Sequence, residues 1–256
     1  MKVAIYFAGF LRDLEITKDY WKKLIDKHSI DVYGSFWETE EDQKRLFAET
    51  FSPKDVEYED QLRFDPFIDM FKKNLKAPYD LTLDLQNYVN NSRILSQFYR
   101  VWRGALLTNQ KEYDVVIRAR TDTVLEENLE INVNEHLNIP AGNVGIWNWK
   151  DCWGPLDLFA YGSQKIINYY STLFLHLNRY LYNGEYLFTT ENLSRVHLSQ
   201  KDLTINYLNT KIWLSRDLER HFTQYVEPPR LGVCHSSEMI AASDKSLTFY
   251  AENREI

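Results

Sequence analysis

The sequence predicts an α/β fold, a mainly parallel sheet flanked by helices within a single domain, and three observations carry that expectation. A short apolar run, Val3-Ala4-Ile5-Tyr6-Phe7, ends at Gly9 as a buried strand does, and the stretch 13–28 behind it carries Leu14, Trp21, Leu24 and Ile25 at helical spacing. A second strand pattern follows over 30–37, close enough behind the helix that a right-handed parallel crossover is the expected connection. The same unit then recurs. Residues 91–111 place Ile94, Leu95, Phe98, Tyr99, Trp102 and Leu106 on or near one helical face and run into the apolar Tyr113-Asp114-Val115-Val116-Ile117.

The remaining segments are less regular. Residues 38–60 are acidic and polar with Pro53, which predicts a short helix plus loops, and 64–88 are mixed, with Pro66 and Pro78 as breakers. Beyond Asp122 the pattern predicts a loop, a strand at 144–147, an irregular Trp153-Gly154-Pro155 segment and helices over 163–182 and 191–209. Short strands and loops follow over 212–256, with a turn at Pro228-Pro229. The sequence holds no internal repeat, low-complexity run or Gly/Ser linker, and 256 residues suffice to bury one continuous core.

Composition narrows the function. A formal net charge of -7 leaves no general electrostatic footprint for a nucleic-acid backbone. Cys152 and Cys234 lie far apart and read as ordinary thiols of a reducing compartment. The first strand passes directly into Ala8-Gly9, leaving no room for a signal peptide, and the aromatic stretch 169–188 is broken by His176, Asn178, Arg179, Asn183, Gly184 and Glu185. A cytoplasmic protein with at most peripheral membrane contact is expected. The aromatic share of 15% is high enough to offer planar surfaces for sugars or bases as well as core.

In a mainly parallel sheet the residues just past the carboxyl ends of the strands carry function. The candidates are therefore Ala8 to Arg12, Ser35 to Trp37, and Arg118-Ala119-Arg120-Thr121-Asp122. Gly9 permits close backbone approach to a ligand and Arg12 offers a fork of donors to a phosphate; the plainer reading makes them a turn and a surface cap. Alternation sets Arg118, Arg120 and Asp122 on one side while strand geometry lasts, bringing cationic and metal-binding groups to the sheet edge; the plainer reading is a surface ion pair. Transfer of a sugar from a nucleoside diphosphate needs such a place, because the leaving diphosphate must be neutralised by a divalent cation or by arginines.

The order Phe7-Ala8-Gly9-Phe10-Leu11-Arg12, Asp31-Val32-Tyr33-Gly34-Ser35-Phe36-Trp37, Ser96-Gln97-Phe98-Tyr99, the strand ending in Arg118-Ala119-Arg120-Thr121-Asp122, and Asp157-Leu158-Phe159-Ala160-Tyr161-Gly162-Ser163 resembles a family of small glycosyltransferases of the GT-A fold. Its members occur in bacterial surface-polysaccharide clusters and in large DNA viruses and phages. The resemblance implies a Rossmann-like nucleotide-sugar-binding half over 1–125 and an acceptor-side half over 126–256. It implies that Ala8, Gly9 and Arg12 line the nucleotide pocket, to which Trp37, Arg118 and Arg120 are added as donor-site candidates by their places at the strand ends, and that Asp122 holds Mn²⁺ or Mg²⁺ at the second acidic place of an Asp-x-Asp motif. The sequence departs from that motif at Arg120, where a guanidinium can meet the diphosphate itself and lessen the need for a metal.

The resemblance further places Asp157 opposite the donor sugar as the base of an inverting reaction, or as a hydrogen-bonding or capping residue, and His235 over the metal, or as a structural histidine. Trp147, Trp149 and Trp153 stack on a sugar or pack the site wall. The implied activity is transfer from a nucleotide sugar to a glycan, glycolipid or glycoprotein hydroxyl. A nucleotidyltransferase normally uses a glycine-rich basic loop after the first strand, and residues 7–12 hold one glycine and no lysine. An inactive carbohydrate-binding or assembly protein on the same fold is the alternative.

Overall fold

The computed structural model of the chain describes residues 1–64, 66–69, 81–125, 129–140, 158–182, 190–201, 203–208, 212–215 and 232–235. The expected strand at 144–147, the cluster Trp147, Trp149 and Trp153, and the turn at Pro228-Pro229 lie outside them.

Strand β1 (Val3–Gly9) is buried along its whole length, and its alternation divides the molecule into two packed faces. Val3, Ile5 and Phe7 meet Leu14, Trp21, Leu24 and Ile25 of α1 (Leu14–His28) and Phe47 and Phe51 of α2 (Glu41–Phe51). Phe7 anchors that face, with ring centroids 5.1 Å from Trp21 and 5.5 Å from Phe51. Ala4, Tyr6 and Ala8 face the other way, against Val101 and Ala105 of α3 (Leu81–Thr108) and Ile166, Ile167 and Tyr170 of α4 (Gln164–Ser171). Burial on both faces is what a parallel strand needs and what its uninterrupted apolar run encodes.

Around β1 lie β2 (Asp31–Trp37), β3 (Asp55–Glu59), β4 (Val115–Ala119), β6 (Leu137–Pro140), β7 (Phe159–Gly162), β8 (Thr204–Leu208) and β10 (Gly232–His235). They form one sheet in the order β10-β8-β6-β7-β4-β1-β2-β3. The run β4-β1-β2-β3 is parallel throughout and β6 pairs β8 in parallel. Strand β7 opposes both its neighbours and β10 opposes β8, so the sheet is mixed beyond β4. This is a Rossmann-like α/β sheet flanked by helices. A separate two-stranded ladder joins β5 (Thr123–Leu125) to β9 (Ile212–Leu214).

Several elements depart from the sequence reading. Strand β3 lies within 38–60, where a helix and loops are expected, and its edge position leaves all five residues only half-buried, without the apolar signature of a core strand. Strands β5 and β6 replace the expected loop after Asp122, and three or four residues are too few to display a period. The helix expected over 191–209 stops as α6 (Thr190–Ser199), and β8 follows because pairing with β6 and burial of Ile205 override helical propensity. The helical pattern 163–182 breaks at Thr172 into α4 and α5 (Leu173–Tyr182). Helix α3 begins at Leu81 rather than 91, and β4 sits two residues later than the apolar run.

Two packing features set testable energetics. The Tyr6 ring lies so close to α3 at Gly104 that an added Cβ would fall 2.4 Å from Tyr6 Cδ2. Alanine is favoured over glycine inside a helix by about 1 kcal/mol, whereas forcing a methyl into a packed core costs about 1–3 kcal/mol. Gly104→Ala is therefore expected to destabilise the protein, read as a lower urea midpoint.

The second feature is His197 on α6. Its Nε2 donates to the Tyr169 carbonyl at 2.8 Å, so Nδ1 is the acceptor, taking the Tyr180 hydroxyl at 2.9 Å. The ring also stacks on Tyr169 at 4.4 Å. Burial pushes this imidazole down to about 4, with the Tyr169 carbonyl opposing and His176 and Lys201 assisting. The unfolded chain thus binds the extra proton first. The contribution is intact above the ordinary histidine value of about 6.5 and is lost at about 1.4 kcal/mol per pH unit as pH falls toward 4. Urea midpoints measured from pH 7 to 4 are expected to fall along that limb, and His197→Phe is expected to flatten it.

Candidate functional site

From β1 the chain runs outward through β2 to β3, then crosses by way of α3 to β4 on the opposite side of β1. The boundary between β1 and β4 is therefore the point where the strand order reverses. Its two connections lie on opposite faces, α1 on one and α3 on the other. Such a reversal opens a crevice at the carboxyl ends of the strands, and ligands of open α/β sheets bind there. Residues 9–13 and 118–122 meet at this crevice.

Gly9 leaves β1 at φ +119°, a conformation that side-chain-bearing residues rarely adopt, and Asp13 enters α1 at φ 51°. The two banks are stitched by Thr121. Its hydroxyl accepts from the Arg12 backbone N–H at 3.2 Å and donates to the Arg12 carbonyl at 3.1 Å, while the Thr17 hydroxyl donates to the Thr121 carbonyl at 2.6 Å. The exposed Arg12 guanidinium stacks over Phe10 at 4.4 Å.

Past Ala119 the pleat of β4 ends, so alternation holds for Arg118 and a turn positions the rest. Arg120 folds onto Asp122 as a two-pronged pair, Nε to Oδ1 at 2.8 Å and Nη2 to Oδ2 at 2.6 Å. Both carboxylate oxygens are engaged, with the Asp122 side chain only 10% exposed. Ser215 straps this turn from the far end of the sequence. Its backbone N–H donates to the Asp122 carbonyl at 2.8 Å and its hydroxyl to Asp13 Oδ2 at 2.5 Å. Sequence reasoning missed Asp13, Thr17 and Ser215. Of these only Asp13, just before the first helix, carries a local signal, that of a helix-start residue.

Arg118 stays inside the sheet. It stands opposite Tyr6 on β1 and Ala160 on β7, on the face covered by α3 and α4. The residue is 0% exposed, and none of its three guanidinium nitrogens has a hydrogen-bond partner among the described residues. A buried charge left so costs several kcal/mol unless a counter-charge arrives. Burial pushes the neighbouring Tyr6 phenol up, against the opposing pull of its 2.7 Å bond with Ser171 and of the Arg118 charge.

The other expected residues fall as follows. Ala8 is buried beside Tyr6 on the α3 face. Trp37 is buried beneath Arg100, 4.6 Å from its guanidinium, and stacked on Tyr99 at 5.6 Å, so its ring packs α3 against β2. Asp157 lies outside the described residues, but Phe159 stands opposite Ala119, so the chain enters β7 at the carboxyl end of β4. The strand of His235 is parted from β4 by β8, β6 and β7, and its side chain is outside the described residues. Two depressions of about 560 and 710 Å³ sit at the opposite end of β4, both lined by Glu112 and Gln164 and by none of the expected residues that are described.

A fit to Mn²⁺ or Mg²⁺ was expected at Asp122. Among the described residues the donors do not fit one, since Arg120 takes both Asp122 oxygens and no three His, Cys, Asp or Glu side chains converge.

No protein-family model and no curated protein sequence matches the chain. Among solved structures it is similar to the apo form of the glycosyltransferase GlyE of Streptococcus pneumoniae TIGR4, with a TM-score of 0.40 and 11% identity over 78% of this chain. The chain spans 42% of the length of that protein. No helix among the described residues is long and apolar enough to cross a membrane.

The stitch itself can be measured. Thr121→Val keeps the shape but leaves the Arg12 N–H without its acceptor, which costs about 1–3 kcal/mol. The urea midpoint is expected to drop accordingly while Thr123→Val, whose hydroxyl donates within its own turn to the Arg120 carbonyl, is expected to lose less.

Proposed function

We propose that the chain is a glycosyltransferase that seats a nucleoside-diphosphate sugar at the β1–β4 crevice and transfers the sugar to a hydroxyl of a glycan, glycolipid or glycoprotein. The observation that carries this reading is the Arg120–Asp122 pair at the point of strand reversal, with Arg118 buried in β4 behind it and without a hydrogen-bond partner among the described residues. That is a place prepared for an anion, and the sequence resemblance names the anion as a diphosphate. Residues 1–125 make the donor half and 126–256 the acceptor half, in a protein of the cytoplasm.

In the reaction the bond between the anomeric carbon and the diphosphate oxygen breaks, and its electron pair leaves with the diphosphate. The acceptor oxygen bonds the anomeric carbon and gives its proton to a base. Fixed positive groups at the departing oxygen lower the barrier because charge grows there in the transition state. Gly9 has no side chain to hold the ligand away from the β1 turn, and Arg12 stands at its rim. Asp157 is the proposed base of an inverting reaction, supported by the entry of its segment into β7 beside Ala119.

A binding protein that kept the fold without catalysis is the second reading, favoured by an arginine where an acidic residue is expected at position 120. The two separate on one experiment. Slow hydrolysis of a nucleotide sugar, with turnover reduced about 10²–10⁴-fold in Asp157→Asn while nucleoside-diphosphate binding persists, is the outcome expected of the enzyme. Nucleotide binding without any hydrolysis or transfer would make it a binding protein.

A further inference from the structure

We infer that the donor diphosphate is neutralised by arginine in place of a divalent cation, with Asp122 acting as a positioning residue that holds the Arg120 guanidinium. The inference rests on the nucleoside-diphosphate reading of the crevice.

The geometry of the pair is the first ground. Both Asp122 oxygens accept from one edge of the Arg120 fork, at 2.8 and 2.6 Å. To ligate a cation, Asp122 would have to surrender two charge-assisted bonds in a nearly buried place and leave Arg120 facing a second positive charge. The turn that carries the pair is also fixed from behind. Ser215 binds the Asp122 carbonyl and the Asp13 carboxylate, Thr123 binds the Arg120 carbonyl, and Thr17 binds the Thr121 carbonyl.

An independent ground is the local charge. Arg118 already brings a buried cation with no hydrogen-bonded partner among the described residues. Arg12 and Arg120 stand at the crevice and Arg118 lies one pleat behind it inside the sheet, against the two carboxylates of Asp13 and Asp122 among the described residues. The charges of these described residues sum to a positive balance. A dianionic group lowers its energy, whereas a divalent cation alone raises it. Arginine is suited to the task, because its planar donors match phosphate oxygens and it stays charged when buried.

The test measures the affinity of UDP, GDP, CDP, ADP and inorganic pyrophosphate by calorimetry on the full chain, in EDTA and again in Mn²⁺. Equal affinity in both media for the base that binds, weakened about 10–100-fold by Arg120→Ala, is the expected result. Asp122→Asn is expected to weaken binding alike in EDTA and in Mn²⁺. Arg120→Asp, which sets two carboxylates side by side, is expected to make binding depend on Mn²⁺, a change that a merely structural role for position 120 does not produce. Arg120→Lys keeps the charge without the two-pronged geometry and serves if the alanine variant does not fold; an intermediate affinity is expected of it. Binding by the unaltered chain only in Mn²⁺, abolished in Asp122→Asn, overturns the inference and leaves the glycosyltransferase reading standing. No binding of any nucleoside diphosphate in either medium overturns both.

Discussion

The parallel register of β1 with both its neighbours is the constraint on which the rest depends. Phe7 stands opposite Ala119 and Gly9 opposite Phe36, so β4 ends two residues short of β1, and 9–13, 120–122 and the end of β2 leave the sheet on the same side. A slip of one residue in β4 would turn Arg118 into the apolar cluster around Phe7 and Trp21 and bring Ile117 to the face it now occupies. The aromatic packing of Phe7 therefore sets the chemistry at a distance. It fixes which β4 residue goes inward with its charge.

Two wholly buried arginines show what a settled and an unsettled cation look like in one molecule. Arg100 bonds Glu57, Glu59 and the Phe36 carbonyl and lies over the Trp37 ring. Burial alone would raise the Glu57 carboxyl. Its bonds from Arg103 and Ser35, with the charges of Arg100 and Arg103, carry it below its usual range instead. That network ties α3 to the ends of β2 and β3 and leaves the Arg100 Nε without a hydrogen-bond partner among the described residues. Arg118 sits on the same face of the sheet with no hydrogen-bond partner among the described residues.

Much of the parallel core was legible because doubly buried strands must be written as apolar runs. Val3-Ala4-Ile5-Tyr6-Phe7 and Val115-Val116-Ile117 therefore announce β1 and β4, and the spacing of Leu14, Trp21, Leu24 and Ile25 announces α1. Strand β3 was illegible because an edge strand need not be apolar, and β8 because its identity comes from pairing with β6, a partner remote in sequence. At the crevice, the residue types of 118–122 could be read and their arrangement could not. Whether Arg120 continues the pleat or folds back onto Asp122 depends on where β4 ends. Ser215 carries no local mark at all, since it acts only through a ladder between β5 and β9 that lie far apart in the sequence.

Opposite charges at positions 120 and 122 change what the turn beyond β4 must tolerate. Two neighbouring carboxylates repel each other and are stable together only when a cation or a proton intervenes. An arginine and an aspartate neutralise each other at once, so this turn is ordered without help, and its order is visible in the chelated Arg120–Asp122 pair. The residual positive charge then falls to Arg118, one pleat further in, where the low-dielectric surroundings strengthen its attraction for an anion. Splitting the two duties accounts for both features together. Asp122 secures one guanidinium in place, and Arg118 remains buried without a hydrogen-bond partner among the described residues.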